Sequence, residues 1–258
     1  MALSRRHPAA FAAVLLVGLA STGVAYATVT GSHTPVTVVA SETQIEQGKQ
    51  LFLQGCSSCH GLAAQGSTDG PSLIGVGAAA VDFQVSTGRM PLAAPGIQAM
   101  RKPPVYTEEQ TAALAAYVAS LGAGPAIPTA EDVNTDKADL ALGGELFRTN
   151  CAQCHSVSGK GGALSQGRYA PSLMKADART IYEAMITGPQ AMPVFNDKTL
   201  TKSEKQDIIR YIKELQKEES PGGYSLGRLG PVTEGLFLFI VGLGALFAVA
   251  VWIGAKAK

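Results

Sequence analysis

Cys56-Ser57-Ser58-Cys59-His60 and Cys151-Ala152-Gln153-Cys154-His155 are the two stretches on which the fold of this chain depends. Each has the form C-x-x-C-H, in which two thiols one helical turn apart can form thioether bonds to the vinyl carbons of a haem. The histidine that follows then lies under the iron and supplies an axial nitrogen. The motifs therefore predict two covalently bound haem c groups. The predicted thioether residues are Cys56, Cys59, Cys151 and Cys154, and the predicted iron ligands are His60 and His155.

Other chemistries use C-x-x-C pairs, namely zinc half-sites, redox dithiols and disulfides. A zinc site needs a closed set of four ligands, and a thioredoxin-like dithiol needs a βαβ context that this chain lacks. The chain has four cysteines, all of them within these motifs, and each pair is followed at once by histidine. This arrangement favours haem.

The composition agrees with domains that pack around a large apolar cofactor. Hydrophobic residues make up 46% of the 258 residues, yet aromatic residues make up 6%. The net charge is +1, and no basic run is present, so nucleic acid is not expected as a partner.

The N-terminal segment, residues 1–30, has the features of a secretory signal. Arg5 and Arg6 precede an apolar run over 9–29, which ends near the A-x-A site Ala25-Tyr26-Ala27. The run is also long enough to span a bilayer uncut. A cleaved signal peptide and a retained anchor both remain open, and both place the chain after residue 30 outside.

The C-terminal segment predicts a transmembrane helix over 232–255. Residues 235–255 carry no charge and are followed by Lys256 and Lys258, while Trp252 suits the membrane interface. The trailing lysines place the C-terminus in the cytoplasm, with membrane lipid around the helix. The haem domains are then expected on the outer, extracytoplasmic face, where bacteria complete covalent haem attachment.

The chain between these segments contains an internal duplication. Gly48 and Gly143 are separated by 95 positions, as are Phe52 and Phe147, and the two haem-motif histidines. Pro71 and Pro171 are separated by 100. Such an ordered set predicts two copies of one domain, 41–122 and 140–219, joined by a linker over 123–139. Helical spacing around each motif, with N-caps such as Thr107, predicts an all-α fold.

A methionine is the expected sixth ligand, because the spare imidazoles, His7 and His33, lie in the targeting and tether regions. Met90 and Met192 each follow Thr-Gly and precede Pro, and they are the predicted ligands. The second copy carries a two-residue insertion at this point. The other candidates align with apolar residues or have no counterpart, and they are interpreted as packing residues: Met100, Met174 and Met185.

Two further features recur in both copies. A backbone carbonyl near Pro71 or Pro171 is predicted to accept a hydrogen bond from the ligand histidine's other ring nitrogen. Gly48 with Tyr117, and Gly143 with Tyr211, predict close helix crossings. Arg168 could reach a haem propionate or be an ordinary exposed arginine.

The order of helix, C-x-x-C-H, Pro-Ser-Leu, Thr-Gly, Met-Pro and a Tyr-bearing helix resembles the class I cytochrome c domain, twice over. With the anchor last, the chain resembles the dihaem cytochrome c subunit of the actinobacterial menaquinol:cytochrome c reductase, the cytochrome bc complex. The resemblance implies a subunit of a translocase, with a cytochrome b subunit and a Rieske iron–sulfur protein as partners. It also implies electron relay from the Rieske protein to a terminal cytochrome c oxidase.

Two rival functions remain open at this stage. One is a dihaem electron-transfer subunit of another respiratory oxidase or dehydrogenase. The other is a dihaem peroxidase, which would need an iron with a vacant or displaceable sixth site. The two matching methionine candidates argue against the peroxidase.

Overall fold

The computed structural model describes residues 8–29, 40–217 and 231–256. It divides into a unit that ends at Ala40 and a second unit that begins at Ser41. In the first unit, helix α1 spans Pro8–Val29 and coincides with the apolar run of the predicted signal segment. Arg5, Arg6, both spare histidines, most of the tether and the end of the second domain at residue 219 lie outside the described residues.

The second unit is built from helices and one very short hairpin. Its helices are α2 (Glu42–Gly55), α3 (Ser57–His60), α4 (Ala78–Ser86), α5 (Glu108–Ser120), α6 (Leu140–Asn150), α7 (Ala152–His155), α8 (Ala178–Thr187), α9 (Lys202–Lys217) and α10 (Pro231–Lys256). Strands β1 (Gly162–Ala163) and β2 (Tyr169–Ala170) pair antiparallel. The all-α prediction is confirmed, and the domain bounds stay predictions.

The helices α2 and α5 cross closely in the first copy because a glycine stands at the contact. A Cβ built on Gly48 would lie 1.9 Å from the carbonyl oxygen of Ala113 and 2.9 Å from Cβ of Tyr117. The rings of Phe52 and Tyr117 then pack with centroids 5.3 Å apart. Thr107 fixes the start of α5 through a reciprocal capping box.

The helices α6 and α9 repeat this crossing in the second copy. A Cβ on Gly143 would lie 2.0 Å from the carbonyl oxygen of Asp207, and the ring of Tyr211 borders Gly144. Phe147 and Tyr211 have ring centroids 5.3 Å apart, as in the first copy. Both predicted crossings are therefore present. In the second, Tyr211 borders Gly144 rather than the predicted Gly143.

The linker is packed against both copies. The backbone N–H of Ala79 donates to the carbonyl oxygen of Pro125 at 3.1 Å. Gln206 of α9 donates to the carbonyl oxygen of Glu131 at 2.8 Å, and Lys202 pairs with Asp132 at 2.8 Å. Both ends of the linker are thus fixed by hydrogen bonds or ion pairs.

The equivalent helices α4 and α8 pack against each other between the copies. Arg179 of α8 pairs with Asp82 of α4 at 2.7 Å and with Glu183 at 3.3 Å. Glu183 is 1% exposed, and its Oε2 has no hydrogen-bond partner among the described residues. Burial, with the neighbouring Asp82, raises the pKa of Glu183 from its usual 4.5 to about 9. A proton on Glu183 would leave this cluster with one cation and one anion.

Helix α10 is the membrane-span candidate of the described residues. Its segment Glu234–Lys256 has a mean hydropathy of 2.7, and none of it is buried within the protein. The shorter apolar segment Ala9–Gly23 belongs to α1. The apolar C-terminal helix predicted over 232–255 is therefore present, and its length and composition suit a membrane anchor.

Replacing Gly48 by Ala should destabilise the first domain by about 1–3 kcal/mol, because the new methyl group forces α2 and α5 apart. Thermal unfolding of the detergent-solubilised protein, followed by helix content, measures the change. Gly96→Ala is the control, since nothing lies within 4 Å of a Cβ at that loop position. Equal melting temperatures for the two variants would contradict the close crossing.

The free energy of unfolding should decrease as the pH rises from about 5 to about 9. In this range the folded protein holds the proton of Glu183, whereas the unfolded chain releases it. Glu183→Gln should remove this part of the pH dependence, while Glu145→Gln on the exposed face of α6 should keep it. Melting temperatures across this pH range test the prediction. An unchanged slope in Glu183→Gln would show that the carboxyl is ionised in the folded protein.

Candidate haem-binding sites

Each C-x-x-C-H motif is held in a helical turn that continues from the preceding helix. The N–H of Cys56 donates to the carbonyl oxygen of Phe52 at 2.8 Å, and the N–H of His60 donates to that of Cys56 at 3.0 Å. The second motif repeats these bonds between Cys151 and Phe147, and between His155 and Cys151, at 2.8 and 2.9 Å. The two motifs are therefore presented identically by α2 and α6.

The ligand histidines are oriented by the proline carbonyls. Nδ1 of His60 lies 2.7 Å from the carbonyl oxygen of Pro71, and Nδ1 of His155 lies 2.9 Å from that of Pro171. A carbonyl only accepts, so Nδ1 carries the proton and Nε2 keeps the lone pair that iron requires. Both histidines are 9% exposed. The predicted carbonyl partners are thus present in both copies.

Burial favours the neutral forms of His155 and of the first thiol of each motif. It lowers the pKa of His155, against the opposing effect of the hydrogen bond to Pro171. It raises the pKa of Cys56 to about 11 and that of Cys151 to about 12, with the second thiol of each motif adding to the shift. Thiols of reactive dithiols and metal–thiolate sites have lowered pKa values. The environment of these cysteines therefore differs from that of a redox pair.

A cavity of about 860 Å³ opens beside the second motif. It is lined by Cys151, Cys154 and His155 and otherwise mainly by apolar side chains. Its charged lining residues are all cations, with no carboxylate among them: Arg89, Arg101, Lys160, Arg168 and Lys175. An apolar cavity with a cationic border fits haem, which is an apolar macrocycle carrying two propionates. Arg168 lines this cavity, where it could contact a haem propionate.

The predicted sixth ligands occupy half-buried positions. Met90 packs against the core of the first domain, and its N–H donates to the carbonyl oxygen of Gln84 at 2.9 Å. Met192 lines the cavity of the second domain. Met185, Met174 and the exposed Met100 line the same cavity, so the geometry does not single out one sulfur. The assignment of Met90 and Met192 stays a prediction.

Sequence reasoning missed the part of this cavity that the first domain contributes. The lining includes Arg89 and residues 98–101, which belong to the loop that joins α4 to α5. Met100 and its neighbours have no counterpart in the second copy. This difference between the copies was the feature of the sequence that could have indicated a special role for the loop.

Two tandem helical domains, each presenting a C-x-x-C-H turn with a carbonyl-bound histidine, define a dihaem cytochrome c. Residues 45–122 match the family model described as cytochrome c, and residues 138–212 match cytochrome C oxidase, cbb3-type, subunit III. The protein thus carries two covalent haem c groups, as the motifs predict.

Comparison with curated proteins narrows this class. The chain is 47% identical to the cytochrome bc1 complex cytochrome c subunit of Corynebacterium efficiens, covering 97% of this chain and 90% of that protein. The corresponding subunit of Mycobacterium leprae is 47% identical, and the alignment covers 95% of this chain and 87% of that protein. The subunit of Mycobacterium tuberculosis is 48% identical, with 94% of this chain and 89% of that protein covered. The chain belongs to the family of cytochrome bc1 complex cytochrome c subunits.

The denatured protein should retain two haems on the polypeptide after acid extraction, because thioether bonds survive loss of the fold. The double variant Cys151→Ala/Cys154→Ala should retain one, and Cys56→Ala/Cys59→Ala should retain the other. Intact mass and the alkaline pyridine spectrum give the count per chain. One haem on the unaltered chain, or haem extracted into the solvent, would contradict covalent attachment at both motifs.

Proposed function

We propose that this chain is the membrane-anchored electron carrier of a quinol-oxidising cytochrome bc complex, in which it accepts electrons from the Rieske iron–sulfur protein and passes them to a terminal cytochrome c oxidase. The observation that carries the proposal is the direct packing of two domains, each with a C-x-x-C-H motif, within one chain, through α4 and α8. Two sites held side by side can relay electrons without a separate soluble cytochrome. Near full-length similarity to subunits named for the bc1 complex supports this assembly.

The proposed ligand sets are His60 with Met90 in the first domain, and His155 with Met192 in the second. When bound, each haem c supplies a reversible one-electron couple. A thioether opposite an imidazole favours ferrous iron and raises the potential, and it leaves no coordination position for an outside ligand. These properties suit a carrier rather than a peroxidase.

The protein's own residues keep each site ready for transfer. The proline carbonyls hold the histidine rings in one tautomer, so the ring orientation need not change between oxidation states. The phenylalanine–tyrosine pairs fill the helix crossings behind the motifs and fix the turns that carry the cysteines. Burial of both histidines excludes water from their ring nitrogens.

In the proposed topology, α10 spans the cell membrane with its C-terminus in the cytoplasm, and both haem domains lie on the outer face. Lys256 at the end of α10 supports this orientation through the preference for cytoplasmic lysine. Oxidation of quinol on that face would release its protons there and so contribute to the proton-motive force. Protease added to intact protoplasts should then remove both haem domains.

A second assembly is suggested by the match of residues 138–212 to a cbb3-type oxidase subunit. That match covers one domain, whereas the similarity to bc1 subunits covers both domains and the anchor. The bc complex is therefore the better supported assembly.

Purification through a tag on this chain, in mild detergent, tests the assembly. Co-purification of a cytochrome b and a Rieske protein, with quinol-dependent reduction of both haems, is the expected result. Electron transfer from the two haems to oxygen, in the presence of a bound oxidase, would establish the oxidase as the electron acceptor. Isolation with oxidase subunits alone, without quinol oxidation, would overturn the proposal.

Met90→His and Met192→His should each lower the potential of one haem while the iron stays six-coordinate and low-spin. The change removes a soft ligand, within axial-ligand effects that span roughly 0.8 V. Electron relay should slow steeply, because the altered haem becomes a trap or a poor acceptor. Redox titration and near-infrared ligand bands measure both effects.

Leucine substitutions provide the matched controls for this experiment. Met174→Leu and Met100→Leu should cost less than about 1.5 kcal/mol of stability and leave both potentials in place. A shifted potential in Met100→Leu, with none in Met90→His, would reject the ligand chosen for the first domain. In the second domain, a shifted potential in Met185→Leu, with none in Met192→His, would reject Met192 as the ligand.

A further inference from the structure

The loop that joins α4 to α5 in the first domain is bound across the cavity of the second domain. The side-chain amide of Gln98 donates to the carbonyl oxygen of Tyr169 at 2.6 Å and accepts from its N–H at 2.8 Å. The side-chain amide of Gln190 makes the same pair of bonds to the backbone of Ala99, both at 3.1 Å. One glutamine from each domain thus fixes the loop at adjacent residues.

The backbone at Gln190 is held in an unfavourable conformation for this contact. Its φ of 60° lies in the left-handed region, which disfavours residues with a Cβ. Glycine would adopt this φ more readily, but it has no amide with which to bind Ala99. The contact with the first domain therefore offsets the local cost in the second.

Two arginines of the first domain line this cavity, and one of them has a buried N–H group without a hydrogen-bond partner among the described residues. Arg89 is 7% exposed, and its Nη1 is buried without a hydrogen-bond partner among the residues that the structure describes. Its guanidinium lies 4.6 Å from the ring centroid of Phe83. Arg101 lines the same cavity as Arg89. Arg101 also donates to the carbonyl oxygen of Lys175 at 3.4 Å.

Two neighbouring guanidiniums, one of them buried, call for an anion between or beside them. No carboxylate lines the cavity that they border. The haem attached through Cys151 and Cys154 brings two propionates to this same cavity. A propionate can accept two parallel hydrogen bonds from a guanidinium, which satisfies a donor such as Nη1 of Arg89.

We propose that the first domain completes the haem site of the second, with Arg89 and Arg101 as positioning residues for the propionates of the haem held by Cys151 and Cys154. The loop fixed by Gln98 and Gln190 places the two arginines there. The second domain adds Lys160, Arg168 and Lys175 on its own side of the cavity. The proposal rests on the haem groups and not on the assembly or the direction of transfer.

This arrangement has two consequences for the redox behaviour of the second domain. A desolvated cation near the iron favours the ferrous state, so its removal should lower the midpoint potential. A propionate that loses its arginine also has a raised pKa, since its anionic form is less stabilised. The potential should then depend more strongly on pH near neutrality. A purely structural role of the arginines would change neither quantity.

Redox titration of the intact chain in detergent, at several pH values, tests the proposal. Arg89→Gln and Arg101→Gln should each lower the potential of one haem and increase its pH dependence, and Arg89→Lys should retain most of the wild-type potential. The haem is assigned by repeating the titration in the Cys56→Ala/Cys59→Ala chain, whose one haem belongs to the second domain. If that chain does not fold, Met192→His marks the second haem by its lowered potential instead.

Lys198→Gln is the matched control, because it removes one positive charge from an exposed site outside the cavity. It should leave both potentials and their pH dependence unchanged. An unshifted second haem in both arginine variants would overturn the proposal. So would a shift confined to the haem of the first domain, since the arginines would then serve the site of their own domain.

Discussion

The hydrogen bond from a histidine ring to a proline carbonyl is the constraint on which each domain depends. The C-x-x-C-H turn fixes the histidine backbone, and the carbonyl of Pro71 or Pro171 fixes the far side of the ring. Between these points the ring has one tautomer and one orientation. The loop that carries the proline must therefore return to the motif at a set distance, and the glycine crossing of α2 with α5, or α6 with α9, holds the helix that presents it.

The two copies share this constraint and the helix crossing behind it, and they differ in their loops. The crossing glycine and the phenylalanine–tyrosine pair recur in both copies with the same 5.3 Å ring separation. The segment between histidine and proline is longer in the second copy and contains the β1–β2 hairpin. The loop between α4 and α5 in the first copy instead reaches the second domain through Gln98 and Ala99. Each copy therefore diverged where its surface meets the other.

The sequence predicted what depends on spacing within one domain. The haem motifs, the proline carbonyl, the helix crossings and the cap at Thr107 each follow from residues close in sequence or repeated at a fixed offset. The contacts between domains were not predictable in this way. Arg179 pairs with Asp82 across more than ninety positions, and so does Gln190 with Ala99. Neither pair belongs to a motif or recurs in the duplication. Charge patterning likewise could not decide whether Arg168 bordered the haem cavity, because that depends on the folded loop.

The contact between the domains is strongly polar, and this suits its purpose. The ion pair of Arg179 with Asp82 adds little net stability, because the Arg179 side chain is 50% exposed and water screens the attraction. Directional bonds nevertheless favour one alignment of the domains, because a shift would leave Asp82 and Gln190 without their partners in the other domain. Strong association is unnecessary because the linker over 123–139 is fixed at both ends and keeps the domains at high effective concentration. The interface can therefore be selected for the alignment of two haem sites rather than for affinity.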